Sequence, residues 1–171
     1  MSEALLLPPG VQRVCDWLQL RAHPHRPLLL DAAARTAQQA ADGLGVALGQ
    51  IAKSIVFKRK PDGVAVLVIT SGDRRVDEHK VAALACVAGA RLGRADAEFV
   101  KSATGFSIGG VSPVALATGC VTLIDQDLFR FSEIWAAAGH PHGVFRLSPT
   151  QLQALTGAPV HDVAETPGAP A

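Results

Sequence analysis

The chain has 171 residues, of which 49% are hydrophobic and 18% are charged, and its formal net charge at pH 7 is +1. This composition is typical of a globular protein with one sizeable core and excludes a mainly disordered chain. A net charge so close to zero argues against broad, non-specific adhesion to nucleic acid, although a basic surface could still exist locally. We expect one domain over residues 1–165 and a flexible tail over residues 166–171, which offers nothing to bury.

Cysteine content and hydropathy narrow the class of protein further. The three cysteines, Cys15, Cys86 and Cys120, are too few and too widely spaced for a disulfide framework or a cysteine-based zinc site. The first residues lack the charged and apolar regions of a signal peptide, and no apolar run is long enough to span a bilayer. These features predict a cytoplasmic enzyme or binding protein.

The predicted elements mix helices with strands. Apolar residues at helical spacing, capping residues and turn residues predict the elements in chain order. The first half of the chain has a helix over 11–20, a short strand over 28–30, a helix over 35–45 and strands over 51–58 and 64–72. Helices then begin after Asp77 and Asp96, followed by a strand over 120–125, a short helix over 131–139, a strand over 143–147 and a helix over 149–157. The turn "KRKPDG" joins two of the strands as a hairpin. This mixture predicts an α/β fold with a partly antiparallel sheet.

A charged residue interrupts the strand that begins "IAKSIVFK". Alternation along a strand places Lys53 on the same face as Ile51, Ile55 and Phe57, which are good core residues. The lysine stem could lie along apolar neighbours while its amine reaches water. Alternatively the amine points into a pocket and meets an anion, such as a phosphate or carboxylate of a substrate.

The segment "ATGFSIGGVSPVAL", residues 103–116, is the second candidate for a site. Gly109 and Gly110 can adopt backbone conformations that other residues avoid, and Pro113 stiffens the chain after them. Such a loop can direct N–H groups toward a developing oxyanion or hold a carbonyl, and we include Thr104 and Phe106 from it among the substrate-binding candidates. A plain tight connection between a helix and a strand would explain the same residues.

Polar residues at the ends of two predicted strands are further candidates. Ser71, Gly72 and Asp73 follow a strand predicted to be buried, and Asp125 ends another. Strand ends commonly build binding sites, so we predict that these residues contact substrate. A polar turn exposed to solvent is the alternative interpretation.

Histidine occurs twice in the motif "HPH", at His23–His25 and at His140–His142. Four histidines could bind zinc, but they lack carboxylate or cysteine companions, and His142 could instead flank the pocket as a hydrogen-bonding group. The chain contains no Ser-His-Asp arrangement, P-loop or dinucleotide fingerprint. We therefore predict chemistry without a covalent triad, a bound nucleotide cofactor or a metal.

Taken in order, these segments resemble the YbaK/ProX family, the free-standing relatives of the bacterial prolyl-tRNA synthetase editing domain. The resemblance runs from about Arg35 to Glu165 and rests on "RTAQQAADGLGVALGQIAKSIVFK", "VLVITSGDRRVD", "LGRADAEFVKSATGFSIGGVSP", "LIDQDLFRFSEIWAAAGHPHGVFRLSP" and "LTGAPVHDVAE". It implies a compact α/β fold with a curved, largely antiparallel central sheet surrounded by helices. It also implies hydrolysis of the ester in mischarged aminoacyl-tRNA, with a synthetase or elongation factor as a further partner.

The resemblance also assigns roles to residues of the site. Lys53 matches the lysine that the family requires, which holds the region of the tRNA 3′-terminal adenosine. Gly109, Gly110 and Pro113 match the glycine–proline loop that positions the aminoacyl carbonyl. An activated ester is labile, so a positioned water, backbone donors and the substrate's own 2′-hydroxyl could complete the chemistry.

One departure from the family bears on the amino acid that is removed. Many relatives have Phe after the loop proline and a Gly-His pair soon after, where this chain has Val114, Ala115 and Leu116. The family includes deacylases specific for Cys, for Ala and for Ser or Thr, and the sequence does not choose among them. A non-catalytic module that binds a nucleotide or tRNA end and a metal-dependent hydrolase that uses the paired histidines are the competing hypotheses.

Overall fold

A computed structural model describes residues 6–31 and 34–166 of the chain. Within them lie five α-helices and eight strands: α1 (Pro9–Leu20), β1 (Leu28–Leu29), α2 (Ala37–Leu44), β2 (Ile51–Lys60), β3 (Ala65–Ser71), α3 (Glu78–Ala85), β4 (Arg91–Arg94), α4 (Ala97–Thr104), β5 (Val121–Asp125), β6 (Ile134–Ala137), β7 (Gly143–Leu147), α5 (Pro149–Thr156) and β8 (Val160–His161). Two short 3-10 helices cover Leu48–Gln50 and Gln126–Arg130. The flexible tail predicted over residues 166–171 lies, except for Thr166, outside the described residues.

The helix termini follow from local hydrogen bonding. The predicted capping box at the start of α2 is confirmed, because the Thr36 hydroxyl accepts from the Gln39 N–H and the Gln39 side chain accepts from the Thr36 N–H. Gly45 ends that helix at a φ of 70°, which a residue without a Cβ adopts readily. Ser148 and Gln151 form the equivalent box at α5, and Asp77 and Asp96 cap α3 and α4.

The strands form one mixed sheet in the order β1-β7-β6-β2-β3-β5-β8, with β4 as an additional neighbour of β2. Pairing is antiparallel for β1–β7, β7–β6, β2–β3 and β2–β4, and parallel for β6–β2, β3–β5 and β5–β8. This is the predicted α/β class with a mostly antiparallel sheet. Strand β3 is buried along its whole length, as its continuous apolar sequence predicts.

Alternating side chains divide the core between the two faces of the sheet. Leu67 and Ile69 of β3 belong to the largest apolar cluster, to which α1, α4 and α5 contribute. Val66 and Val68, on the opposite face, pack against α3. Ile51 of β2 lies on that second face too, where α2 covers it together with Trp135 and Val144.

The short helix predicted over residues 131–139 is wrong, because Ile134–Ala137 forms strand β6. Alanine favours helix, but β6 pairs with β7 on one side and with β2 on the other. Ile134, Trp135 and Ala136 are buried in this arrangement. Pairing and burial outweigh the intrinsic preference of the alanines.

No helix among the described residues is long and apolar enough to cross a membrane.

Candidate functional site

The sheet has a gap along one edge of β2. Strand β3 pairs with residues 52–58 of β2 on one side. On the other side β6 pairs with Ile51 and Ala52, and β4 begins to pair only at Phe57. Residues 53–56 therefore have no strand partner on that edge within the described part of the chain. Because successive residues of a strand direct their N–H and C=O groups to opposite edges, two of these four residues present backbone donors and acceptors to the gap.

A cavity of about 370 Å³ lies at this gap, and residues 53–56 form one of its walls. The other walls come from the start of β2, from α2 and the residues before it, from α4 and the loops on both sides of it, and from β6, the following turn and the start of β7. The residues are Ala34, Arg35, Thr36, Ala37, Ala40, Ile51, Ala52, Ala95, Val100, Ile108, Gly109, Val111, Trp135, Ala136, Ala137, Pro141, Gly143 and Val144. Its size is in the range of small-molecule sites.

The charged side chains that line the cavity are all positive. Arg35 and Lys53 are its cations, and the described residues that line it include no carboxylate, imidazole or thiol. Such a lining favours an anionic or ester-containing ligand with an apolar part. It offers no side chain with the usual chemistry of a general base or a covalent nucleophile, apart from the hydroxyls of Thr36 and Ser54.

Lys53 links the cavity wall to the chain segment after β3. The residue is half-buried, and its Nζ donates a hydrogen bond to the Arg74 carbonyl at 3.0 Å. Burial and, to a smaller extent, the neighbouring Arg75 lower the pKa of the Lys53 amine, while Asp73 opposes this shift. The amine is thus held in place by one carbonyl acceptor, without a direct ion pair among the described residues.

The glycine pair lies against the turn between β6 and β7. Gly109 lines the cavity and has a φ of 90°, a conformation that residues with a Cβ rarely adopt. Gly110 is buried, and a Cβ there would lie 2.7–2.9 Å from backbone atoms of His140. The absence of side chains lets the two backbones approach closely, and the Gly110 N–H donates within the loop to the Ser107 carbonyl at 3.0 Å.

The other residues of the glycine–proline segment are buried in the core. Thr104 Oγ1 donates to the Val100 carbonyl at 2.7 Å and accepts from the Phe106 N–H at 3.1 Å. Phe106 is buried, with the Arg13 guanidinium 5.0 Å from its ring centroid. Pro113 is buried next to Val114. The side chains of Thr104, Phe106, Pro113 and Val114 do not line the cavity. The substitutions Val114 and Ala115 therefore belong to the core and not to the cavity wall.

The strand-end residues form a separate polar cluster. The Ser71 hydroxyl donates to the Gly49 carbonyl and accepts from Arg130 at 2.9 Å. Asp73 pairs with the same guanidinium at 2.9 Å, which helps to lower the pKa of its carboxyl against the opposing effect of burial. Gly72 packs closely on Leu48. These contacts hold the segment that supplies the Arg74 carbonyl to Lys53.

Asp125 ends β5, and His142 lies in the turn between β6 and β7. Asp125 is buried, and neither of its carboxylate oxygens makes a hydrogen bond of normal geometry with the described residues. Burial raises the pKa of this carboxyl, and the nearby backbone N–H groups of Asp127 and Val163 partly oppose the rise. His142 is half-buried, and its backbone N–H donates to His140 Nδ1 at 3.1 Å. It lies between Pro141 and Gly143, which do line the cavity.

The two histidine pairs lie on different segments. The rings of His23 and His25 have centroids 5.8 Å apart, and those of His140 and His142 are 5.2 Å apart. Among residues 6–31 and 34–166, no group of three or more His, Cys, Asp or Glu side chains is placed to hold a metal ion.

Sequence reasoning missed most of the residues that line the cavity, among them Arg35, Ser54 and Trp135. Arg35 and Trp135 come into the wall through the packing of α2 and β6, and local sequence carries no sign of this. Ser54 follows Lys53 directly, but strand alternation assigns it to the face of the main core. Residues from both faces of β2 line the cavity because of the gap beside this strand. The gap depends on which residues of β2 pair with β4 and with β6.

Comparisons with known proteins place the chain in a family. A family model described as the aminoacyl-tRNA editing domain matches residues 31–155. The uncharacterized protein YwhH of Bacillus subtilis (strain 168) is 33% identical over 117 residues, which cover 68% of this chain and 72% of YwhH. A proline–tRNA ligase of Thermoanaerobacter sp. (strain X514) is 29% identical over 94 residues, which cover 55% of this chain but 16% of that ligase.

A solved structure is similar over nearly the whole fold. It is the crystal structure of a candidate trans-editing enzyme for prolyl-tRNA synthetase, 41% identical, with a TM-score of 0.86 over 94% of this chain and 100% of that one. The match of the editing-domain model to residues 31–155 covers well over half of the sequence. This chain therefore belongs to the aminoacyl-tRNA editing domain family, and its enzyme class is that of an aminoacyl-tRNA deacylase.

Proposed function

We propose that this protein acts in trans on mischarged tRNA and hydrolyses the ester to a small amino acid of the Cys, Ala, Ser or Thr class, with the cavity beside residues 53–56 as the active site. The observation that carries the proposal is the cationic, largely apolar lining without a carboxylate, imidazole or thiol. An aminoacyl-tRNA end offers phosphates for the cations, a small side chain for the apolar walls and an ester that needs little activation.

The proposed role of Lys53 is electrostatic. Its half-buried ammonium forms no ion pair with a carboxylate of the described residues, so a phosphate or ribose oxygen of the 3′-terminal adenosine region can approach it. The backbone at Gly109 positions the aminoacyl carbonyl, and the buried Gly110 and Pro113 hold that part of the loop in place. The free edge of β2 supplies further N–H and C=O groups next to the reacting ester.

The reaction requires only water as co-reactant. A water oxygen forms a bond to the ester carbonyl carbon, and backbone N–H groups stabilise the oxyanion that develops. The bond between that carbon and the ribose oxygen then breaks, and the leaving oxygen takes a proton. The substrate's 2′-hydroxyl is the group that can pass this proton from the attacking water, so the protein need only hold the reactants in place.

The test is a deacylation assay with Cys-, Ala-, Ser- and Thr-charged tRNAs. The wild-type protein should release at least one of these amino acids, and Lys53→Ala should lower kcat/KM on the order of 10²-fold or more, because a charged contact to the transition state is lost. Lys101→Ala is the matched control, since Lys101 is an exposed lysine of α4 that does not line the cavity.

Two outcomes would decide against the proposal. If no charged tRNA is hydrolysed at high enzyme concentration, trans-editing of this class is wrong. If tRNA binds in a way that Lys53→Ala weakens, but no amino acid is released, the cavity belongs to a non-catalytic module for tRNA ends.

Capture of the tRNA is proposed to be weak or shared with a synthetase or elongation factor in the cytoplasm. The formal net charge of +1 supports this, because neutralised phosphates supply most of the affinity for nucleic acid.

A further inference from the structure

Helix α1 packs on both loops that border the cavity. It precedes residues 31–155, the part of the chain that matches the editing-domain model. One loop joins α4 to β5 and carries Gly109, and the other is the turn between β6 and β7, which carries Pro141. All of α1 lies within the described residues, and none of its side chains lines the cavity. Any influence of this helix on the site must therefore pass through the two loops.

Arg13 of α1 is bonded to the first of these loops. Its guanidinium donates to the Ala115 carbonyl and lies over the Phe106 ring, with 5.0 Å between its central carbon and the ring centroid. It also packs on Gly105, where a Cβ would lie 3.1 Å from that carbon. Arg13 forms no ion pair with a carboxylate of the described residues. The loop between α4 and β5 is thus its polar partner.

The backbone at Ala115 needs support of this kind. Ala115 is buried and has a φ of 60°, a conformation that residues with a Cβ rarely adopt. Such conformations persist where the surrounding structure holds them. The Arg13 guanidinium supplies a donor to the carbonyl of this residue. We therefore expect the loop to relax when that donor is removed.

The same face of α1 holds the second loop. Gly10 lies three residues before Arg13 and is therefore its neighbour on the helix surface. Gly10 and Gly139 approach so closely that a Cβ on either glycine would collide with the carbonyl group of the other. Phe106 also packs on Gly139, where a Cβ would lie 2.9 Å from the ring. These contacts join α1, the loop and the turn in one packed unit.

We propose that Arg13 is a positioning residue for the deacylation: through Ala115 and Phe106 it holds the loop against the turn, and so fixes the backbone of Gly109 at the cavity. This inference rests on the proposed function, in which that backbone positions the aminoacyl carbonyl. Lys53 belongs to β2, whereas the hydrogen bond and the ring contact of Arg13 both lie on the loop. Loss of Arg13 should therefore slow the reaction step without weakening capture of the tRNA end.

The test compares two substitutions of Arg13. Arg13→Met keeps an apolar stem but no donor, and Arg13→Lys keeps a charge and a donor but cannot lie flat on the ring. Single-turnover deacylation is measured with enzyme in saturating excess over the charged tRNA that wild type hydrolyses best. The saturated rate constant should fall roughly tenfold for Arg13→Met and roughly threefold for Arg13→Lys, because a small displacement of the reacting groups slows the reaction. The enzyme concentration at half-saturation should stay near that of wild type.

This measurement separates positioning from a loss of folded protein. A smaller folded fraction raises the total enzyme concentration at half-saturation but leaves the saturated rate constant unchanged, because only folded enzyme holds substrate. Arg21→Met is the matched control. Arg21, at the exposed end of α1, lies over the Trp17 ring and donates to the Trp17 carbonyl. Its loss removes the same charge and similar contacts away from the cavity, so the rate constant should equal that of wild type.

Hydrogen exchange reports on the loop directly. The Gly110 N–H donates to the Ser107 carbonyl, so this amide should exchange faster when the loop loosens. We expect faster exchange in Arg13→Met than in wild type and no change in Arg21→Met. The readout needs no substrate, and so it decides whether Arg13 holds the loop even if the proposed function is wrong.

Each outcome bears on a different proposal. A rate constant and a Gly110 exchange rate in Arg13→Met equal to those of wild type would overturn the role of Arg13 and leave the deacylase intact. Faster exchange at an unchanged rate constant would also overturn it, because the loop would then move without effect on the reaction. If Arg13→Met does not fold, Arg13→Lys decides by the same two measurements. Failure of wild type to hydrolyse any of the four charged tRNAs would instead count against the proposed function.

Discussion

At the scale of single residues, the environment of Lys53 determines when its amine carries a charge. Burial removes water from around the ammonium, and Arg75 adds a like charge, so both lower the pKa of Lys53 below the ordinary lysine value of about 10.4. Asp73 attracts the ammonium but is itself committed to Arg130. The amine therefore loses its proton at a lower pH than an exposed lysine does.

This shift predicts a limit on activity at alkaline pH. If the ammonium holds the tRNA end, kcat/KM should fall as pH rises through the lowered pKa of Lys53. Lys53→Arg keeps a cation that does not titrate in this range, so whatever activity it retains should persist to higher pH. The measurement is kcat/KM against pH, with spontaneous hydrolysis of the ester subtracted. The same alkaline fall in both proteins would assign it to another group.

At the scale of elements, what the sequence predicts depends on how local the signal is. The caps at Thr36, Asp77, Asp96 and Ser148 lie within a few residues of the N–H groups that they bond, and all four were predictable. The buried strand β3 was equally clear, because its apolar run is continuous. Strand β6 was not, since its alanines take strand geometry only through pairing with β2 and β7.

The residues of the candidate site also differ in whether the local sequence indicates them. Lys53 and Gly109 could be found from an unexpected charge and a glycine pair, and both line the cavity. Arg35, Ser54 and Trp135 reach it because β6 and β4 leave one edge of β2 open between Ala52 and Phe57. No short stretch of sequence encodes such a gap, which follows from how far each neighbouring strand extends.

The loop that carries the glycine pair is predicted to be sensitive at Gly110. Gly110→Ala would place a Cβ 2.7–2.9 Å from the His140 backbone, so the loop or the turn between β6 and β7 must move. We expect a loss of about 1–3 kcal/mol in the free energy of unfolding, as for other overpacked positions. Activity should fall as well, because both segments line the cavity.

Gly119→Ala is the control for this change, since a Cβ there would meet nothing within 4 Å. Denaturant unfolding and the deacylation assay measure the two effects, and the control should stay within about 0.5 kcal/mol of wild type. A stable and fully active Gly110→Ala protein would show that the close approach of the two segments is not required.

At the scale of the whole molecule, positive charge is local and not general. Lys58, Lys60 and Arg94 line a second, polar cavity of about 460 Å³ beside α4, together with Asp96 and Glu98. Lys58 and Lys60 continue the strand that carries Lys53, and Ala95 and Val100 of the first cavity adjoin this second one in sequence. A tRNA whose end enters the first cavity can therefore place phosphates near these cations.

This distribution predicts that kcat/KM depends only weakly on salt concentration and that Lys60 accounts for part of that dependence. Each neutralised phosphate contributes about −0.7 to −0.9 to the slope of log binding constant against log salt, so the few available cations should give a slope of roughly −2 to −3 for kcat/KM. Lys60→Ala should make that slope shallower by about one unit. Arg21→Ala, at the exposed end of α1 with its guanidinium over the Trp17 ring, removes the same charge away from the cavity and should not change it. A steep slope in wild type, or equal slopes for wild type and Lys60→Ala, would place the tRNA backbone on another surface.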